Sequence, residues 1–485
     1  MSIDCKRSAC EAEQRGTRVP GRVIAAIIPF MFAGCAFDEY QRVPLESTNV
    51  VAELVEQRSA LSFVRADDVS EGEAEALYLH QAALLLHERN PELRMTRAQY
   101  ETAAAVAAES TPFPNPKLEF GPEFGFGPDA SSPYTVPFLR LGVTIPTAGK
   151  RSKQDERNFA AAEALRVNAA TRCGELYLEL RRKYTRLAVA RARVVMHEGI
   201  VAAANRSLQA SKLLVEAGGA DALDVSLFAL EHARERARLL ESEQRESDAE
   251  SGLAGMMALD VRKLGALPSR TLAVMPEAGM DVAALRERLG ETHPALLRAA
   301  AQYELAEKEL RLEVAKQCPD IVLGGGLAGE TGEDKTLADL SIGFNLPIFD
   351  LNQQGIARAR AHREEVRTSF EAAADRALGE LDRAHRAAEL ASERHRVLAE
   401  EVLPAARNNV DVAYRALPAG SADALQVLDA ERSLRQVELE VLDAELQLQL
   451  AWSDLELAFG APLLVFDEEH ENETSGAQSA DRGEQ

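Results

Sequence analysis

The chain of 485 residues lacks any apolar stretch long enough to cross a bilayer as a helix. Its longest such run, VIAAIIPFMFA at residues 23–33, falls well short of the roughly 20 residues a spanning helix needs. Aromatic residues are only 5% and hydrophobic residues 46%, against 27% charged, which excludes a bundle of membrane helices. Basic residues are outnumbered, 55 against 78 acids, and the net charge of -23 argues against a nucleic-acid partner, whose phosphates require a basic surface. Cysteine is scarce: three of five lie in the first 35 residues, and Cys173 and Cys318 stand isolated, outside any C-x-x-C spacing. The nine histidines form no cluster, and no Ser/His/Asp or Cys/His spacing stands out, so no enzyme, metal site or cofactor is expected. Proline is absent between Pro146 and Pro268.

What is present begins at the N-terminus. Arg15, Arg18 and Arg22 precede the short apolar run, and Gly34 and Cys35 follow it, the layout of a secretory signal peptide over residues 1–34. FAGC at 32–35 resembles a lipobox, with Phe32 where Leu is usual; this makes Cys35 the expected lipidation site and first mature residue. Ala36 rather than Asp follows the cysteine, and bacterial lipoproteins of that kind are usually delivered to the outer membrane.

The rest of the chain is internally repeated, a feature that must be settled before any other reading. In LRLGVTIPTAGKR, Leu139, Leu141, Val143 and Ile145 alternate with small or polar residues; in LSIGFNLPIFDLNQQGIA, Leu340, Ile342, Phe344 and Leu346 do the same, each 201 residues later. AQYE recurs at 98–101 and 301–304, and ADAL at 220–223 and 422–425. Residues 71–270 thus form a first repeat and 281–465 a second, after a lead-in at 35–70 without clear period and before an acidic, disordered tail at 466–485. Each repeat is expected to hold a helix, a β-hairpin (117–146 and 319–347) and a long helical hairpin. The helices are expected over 72–110 with a break at Asn90–Pro91, over 151–217, from Asp221 to about 259, over 281–317, from Asn352, and returning to Phe459. A continuous helix over 151–217 would span roughly 100 Å, far too long for a globular core.

Four strands with one apolar face suit an outer-membrane barrel, yet four cannot close one, and an open edge in lipid leaves backbone groups unpaired at several kcal/mol each. Pooling strands from three copies gives twelve. Pro146 and Pro347 then mark the strand-to-helix junctions, where a membrane strand becomes a periplasmic helix.

HERNPELRMTRAQYETAAAVAAESTPFPNPKL, VTIPTAGKRSKQ, NLPIFDLNQQGIARARA and the paired EAGGADALDV and PAGSADALQVLDAER resemble the outer membrane efflux protein (TolC) family over nearly all of residues 71–465. The resemblance implies a mainly α fold with a small β part: a homotrimer, a shared twelve-stranded barrel in outer-membrane lipid, and long antiparallel periplasmic helices. It also implies a periplasmic adaptor and an inner-membrane RND-type transporter as partners. GKR after the first hairpin and PIFDLNQQG after the second most resemble the CzcC-like group, which exports heavy-metal cations.

Within this pattern Gly218, Gly219 and Gly420 are turn candidates at the hairpin tips, where an adaptor would make contact, and Asp224, Gln426 and Asp429 just beyond them are pore-gate candidates. The bland reading of the acids is that they favour a helix N-terminus through the dipole. Lys150, Arg151 and Lys153 face a similar choice between headgroup or subunit contacts and a solvated helix start. GGGLAG at 324–329 matches G-x-G-x-x-G but lies in a hairpin rather than before a helix, so a packed strand accounts for it better than a dinucleotide. The expected function is a passive exit duct for divalent heavy-metal cations. The rivals are a duct for drugs or a secreted polypeptide and, in another class, a structural coiled-coil lipoprotein.

Overall fold

A computed structural model describes residues 47–59, 77–125, 134–216, 222–264, 273–274, 281–329, 336–416, 424–463 and 465–466. The chain divides into two units, Met1–Gln57 and Arg58–Gln485. Most of helix α1, Ser47–Ser59, belongs to the first; it exposes Val50, Val51, Leu54 and Val55. This helix departs from the patternless lead-in expected from sequence, because a stripe of four residues on one short helix is a weak periodic signal.

The second unit follows the repeat. Helices α2 (Leu79–Arg89) and α3 (Pro91–Ala108) meet at Asn90. Its Oδ1 accepts from the backbone N–H of Glu92 at 3.0 Å and of Leu93 at 3.1 Å, and its Nδ2 donates to Met256 O at 2.9 Å. One side chain therefore caps a helix and ties it to a distant segment. Strands β1 (Lys117–Gly125) and β2 (Tyr134–Ile145) come next, then the uninterrupted helix α4 (Lys150–Glu216) and its return α5 (Ala222–Met256). A two-residue strand β3, Ala273–Val274, precedes the second repeat.

The second repeat corrects the sequence reading twice. The helix expected over 281–317 is two helices, α6 (Val282–Thr292) and α7 (Pro294–Ala315). His293 between them adopts φ -70, ψ 121, because a residue before proline is pushed out of the α region. After strands β4 (Ile321–Gly329) and β5 (Thr336–Phe344), the long helix is interrupted as well: α8 (Gln353–Val397) passes through a π turn at Leu398–Val402 into α9 (Leu403–Ala416). Pro404 explains the position, since its ring clashes with the carbonyl four residues back unless the preceding turn widens. The return helix α10 is Ala424–Phe459, and β6, Val465–Phe466, pairs with β3.

The four longer strands form one antiparallel sheet in the order β1-β2-β4-β5. The β2–β4 pair joins the repeats, with Leu141 opposite Gly325 and Ile145 opposite Ile321. Alternation puts Leu139, Leu141, Val143, Leu323, Leu340 and Ile342 on one face and Glu119, Arg140, Gly324, Gly326 and Asp339 on the other. Among the described residues β1 and β5 each keep one edge without a partner strand. Beneath the sheet α3, α4, α7 and α8 pack side by side in the order of the strands they serve.

The core lies where the middle of α4 and the later half of α8 meet the C-terminal ends of α5 and α10. Leu176, Leu180, Tyr184 and Leu187 of α4 meet Leu253 of α5, Leu381 of α8, Leu455 and Phe459 of α10, and Leu79, Leu86, Leu285 and Leu289 of the short helices. Within it Arg181 donates to Glu456, Nη2 to Oε1 at 3.0 Å and Nε to Oε2 at 3.3 Å; both side chains are only 1% exposed. Glu456 Oε1 also accepts from Leu463 N at 2.8 Å.

Candidate functional site

The strand-to-helix junctions are stapled by side chains. After Pro146, Thr147 N donates to Asp320 Oδ1 at 3.0 Å and Thr147 Oγ1 to Pro319 O at 2.6 Å, and Lys150 Nζ lies 2.6 Å from Asp320 Oδ1. Arg151 donates to Thr111 O at 2.8 Å and stacks its guanidinium 3.7 Å from the Phe113 ring, while Lys153 donates to Ala148 O. All three basic residues are thus engaged within the protomer. Asp155 accepts from both Thr111 N and Thr111 Oγ1, which holds its carboxyl below the usual carboxylate range. After Pro347, Asn352 adopts φ 55, a conformation asparagine tolerates, and its Nδ2 donates to Glu313 O at 2.9 Å and Glu313 Oε2 at 2.7 Å. Each junction therefore fixes the strand end to a neighbouring helix.

At the opposite ends of the long helices, Gly218, Gly219 and Gly420 lie outside the described residues, as does Cys35. Asp224 stands in the first turn of α5, and Gln426, exposed, in the first turn of α10. Asp429 is exposed, with Oδ1 3.7 Å from Arg432 Nη1 one turn on. Arg432 in turn reaches α5, its Nε 3.3 Å from Glu231 Oε1. Glu431 pairs with Arg435 at 3.3 Å and contacts the Tyr414 hydroxyl on α9, which raises the phenol's pKa. Sequence reading missed Arg432, Glu231, Glu431 and Tyr414. The i, i+3 spacing of Asp429 and Arg432 was visible, but the links to Glu231 and Tyr414 depend on how the helices pack. GGGLAG lies in β4, so this match to G-x-G-x-x-G belongs to a sheet. Among the described residues no group of three or more His, Cys, Asp or Glu side chains could hold a metal ion, and no helix is long and apolar enough to cross a membrane.

Comparison with known proteins agrees with this architecture. The sequence model described as "Outer membrane efflux protein" matches residues 285–461. The cobalt-zinc-cadmium resistance protein CzcC of Cupriavidus metallidurans is 23% identical over 373 residues, covering 76% of this chain and 86% of that protein. Among solved structures, the outer-membrane channel OprN superposes with a TM-score of 0.64 at 19% identity, over 88% of this chain and 99% of its own. CusC gives 0.63 at 17%, over 88% and 100%. VceC of Vibrio cholerae gives 0.62 at 16%, over 79% and 96%. The second repeat thus matches the outer membrane efflux protein family, that repeat is mirrored in the first, and over most of its length the chain has the fold of these outer-membrane channels.

Proposed function

We propose that three copies of the chain close a twelve-stranded barrel and serve as the passive exit duct of a tripartite pump, with a periplasmic adaptor and an inner-membrane RND-type transporter. The observation that carries this reading is the four-stranded sheet with one apolar face and two open edges, set above long helices. In lipid those edges must be paired, and a second and third copy supply the partners. A structural spacer has no use for the apolar strand face, which disfavours a purely fibrous lipoprotein. In detergent the protein is expected as a trimer; a monodisperse monomer that keeps its strand content refutes the pooled barrel. Cys35 is proposed as the acylated anchor, so Cys35→Ser should lose incorporated palmitate.

For the cargo, the relative named for cobalt, zinc and cadmium resistance supports divalent heavy-metal cations. Deleting the gene should sensitise the host to these cations more than to dyes and antibiotics; the reverse ranking favours a drug duct. At the periplasmic mouth, Asp429 and Gln426 at the start of α10, with Asp224 at the start of α5, are proposed to line the constriction, and Gly218, Gly219 and Gly420 to carry the adaptor contacts. The proximity of Arg432 gives Asp429 a cation to exchange when the tips part. Asp429→Ala should raise resting conductance in planar bilayers with the trimer intact; unchanged conductance places the gate elsewhere.

A further inference from the structure

The polar face of the sheet holds an arrangement that neither the junctions nor the mouth uses. Arg140 on β2 lies in register with Gly326 on β4, and Gly326 in register with Asp339 on β5. Arg140 Nη1 donates to Glu123 Oε1 of β1 at 3.0 Å, and its Nε approaches Asp339 Oδ2 at 3.9 Å. One guanidinium thus links side chains of both outer strands while standing on an inner one. It also lies 4.6 Å from the Phe138 ring.

Glycine is what permits the crossing. A Cβ on Gly326 would fall 2.7 Å from Arg140 Cγ and would run into Asp339 Oδ1. At Gly324 a Cβ would meet Ser341 Oγ in the same way. The arginine therefore lies along the wall of the sheet, over a strand that offers no side chain to lift it. Glu119 sits directly opposite Arg140 on β1, with Glu123 four residues along and Lys117 two residues the other way on the same face, so this stretch of the polar face carries three carboxylates, Glu119, Glu123 and Asp339, against two cations, Arg140 and Lys117. The side chains of Arg140, Glu123 and Asp339 are 42%, 52% and 46% exposed. Ionised groups on a membrane strand face water, and the opposite face bears Leu139, Leu141, Leu340 and Ile342, which suit lipid.

We infer that this belt is a specificity-determining feature of the barrel lumen: it favours hydrated small cations over anions, and Arg140 sets how strongly. The inference rests on the duct reading above. Excess carboxylate on a narrow wall of low dielectric raises the local cation concentration, and threefold repetition puts the same excess around the whole circumference. Held flat between Glu123 and Asp339, Arg140 reduces the negative potential without projecting into the path.

The test is the zero-current reversal potential across planar bilayers in a potassium chloride gradient, in the parent and in an Asp429→Ala background that removes the mouth acid. Arg140→Gln should raise the cation-to-anion permeability ratio about twofold or more, and Glu123→Gln with Asp339→Asn should lower it by a similar factor. Glu119→Gln, which leaves Arg140 between Glu123 and Asp339, should also lower it and guards against loss of assembly in the other variants. Shifts of these opposite signs in both backgrounds support the belt. Parent values in every variant, or shifts of one sign only, overturn it. Conductance of the parent itself reads the duct hypothesis, so the two can fail separately.

Discussion

The buried ion pair between the repeats offers a quantitative test of what holds the core. Arg181 and Glu456 are each 1% exposed and share two hydrogen bonds, and Glu456 also accepts from Leu463 N. Removing one partner leaves the other charge in a site sealed by Leu180, Tyr184 and Leu455, at a cost of about 3–5 kcal/mol. Removing both with apolar residues of similar size takes away the orphaned charge, and such replacements are often close to neutral. Arg181→Met and Glu456→Leu should therefore each destabilise by about 3–5 kcal/mol. The double variant should lose less than either, save about 1–3 kcal/mol for the unsatisfied Leu463 amide. Trp452 is the chain's single tryptophan, lies 7% exposed in the same core and stands one turn before Glu456. Its fluorescence during urea unfolding of the detergent-solubilised protein thus reports the right region. Losses under about 1 kcal/mol for the single variants would put the pair with exposed salt bridges, and a double variant worse than the sum of the singles would refute the orphaned-charge account.

Asn90→Ala should cost about 1 kcal/mol for the lost cap and a further 1–3 kcal/mol for the Met256 carbonyl left buried; Asn90→Asp, which keeps the cap oxygen but not the donor, should recover only the first part. Gly460 has φ +88, and a Cβ there would sit 2.5 Å from Thr292 O and 2.6 Å from Pro294 Cδ, so Gly460→Ala should destabilise, by urea unfolding, by more than the roughly 1 kcal/mol of the left-handed conformation alone. Burial lowers the pKa of both His197 and His293, the former aided by Arg193, Arg238 and Arg245. Their unfolded forms take up protons first, so the stability they contribute is intact above the ordinary value near 6.5 and is lost as pH falls through it toward the folded values. Urea midpoints at pH 7.5 and 5.5 should differ in that direction, and a His197→Phe, His293→Gln variant should show a smaller difference.

The strands were legible because membrane β-structure writes its two faces into alternate residues, and a doubled pattern such as Leu139 to Ile145 and Leu340 to Leu346 is hard to produce by accident. The long helices of the first repeat were legible from the absence of proline between Pro146 and Pro268. The break at His293 was signalled by Pro294, but histidine is a poor cap and the apolar period runs on through it. The core residues were harder, because the helix of 67 residues concentrates its buried side chains between Leu176 and Val189 and scatters the others thinly from Ala162 to Ser211, so its average pattern is dilute. The charged belt was out of reach altogether. Arg140 and Asp339 are 199 residues apart, and only the β2–β4–β5 register, with glycine between them, makes them neighbours.

The two repeats end as unequal beams. In the first, α4 runs from the junction at Lys150 to Glu216 with every turn hydrogen-bonded in the same way, so it resists bending along its whole length. In the second, the wide turn at Leu398–Val402 and the missing amide of Pro404 remove stiffness at one level, and a sideways load applied at the far end would concentrate its curvature there. Each chain thus couples a strut to a jointed arm. A force arriving at the tips, whatever its source, would be borne as compression by the first and converted to rotation by the second.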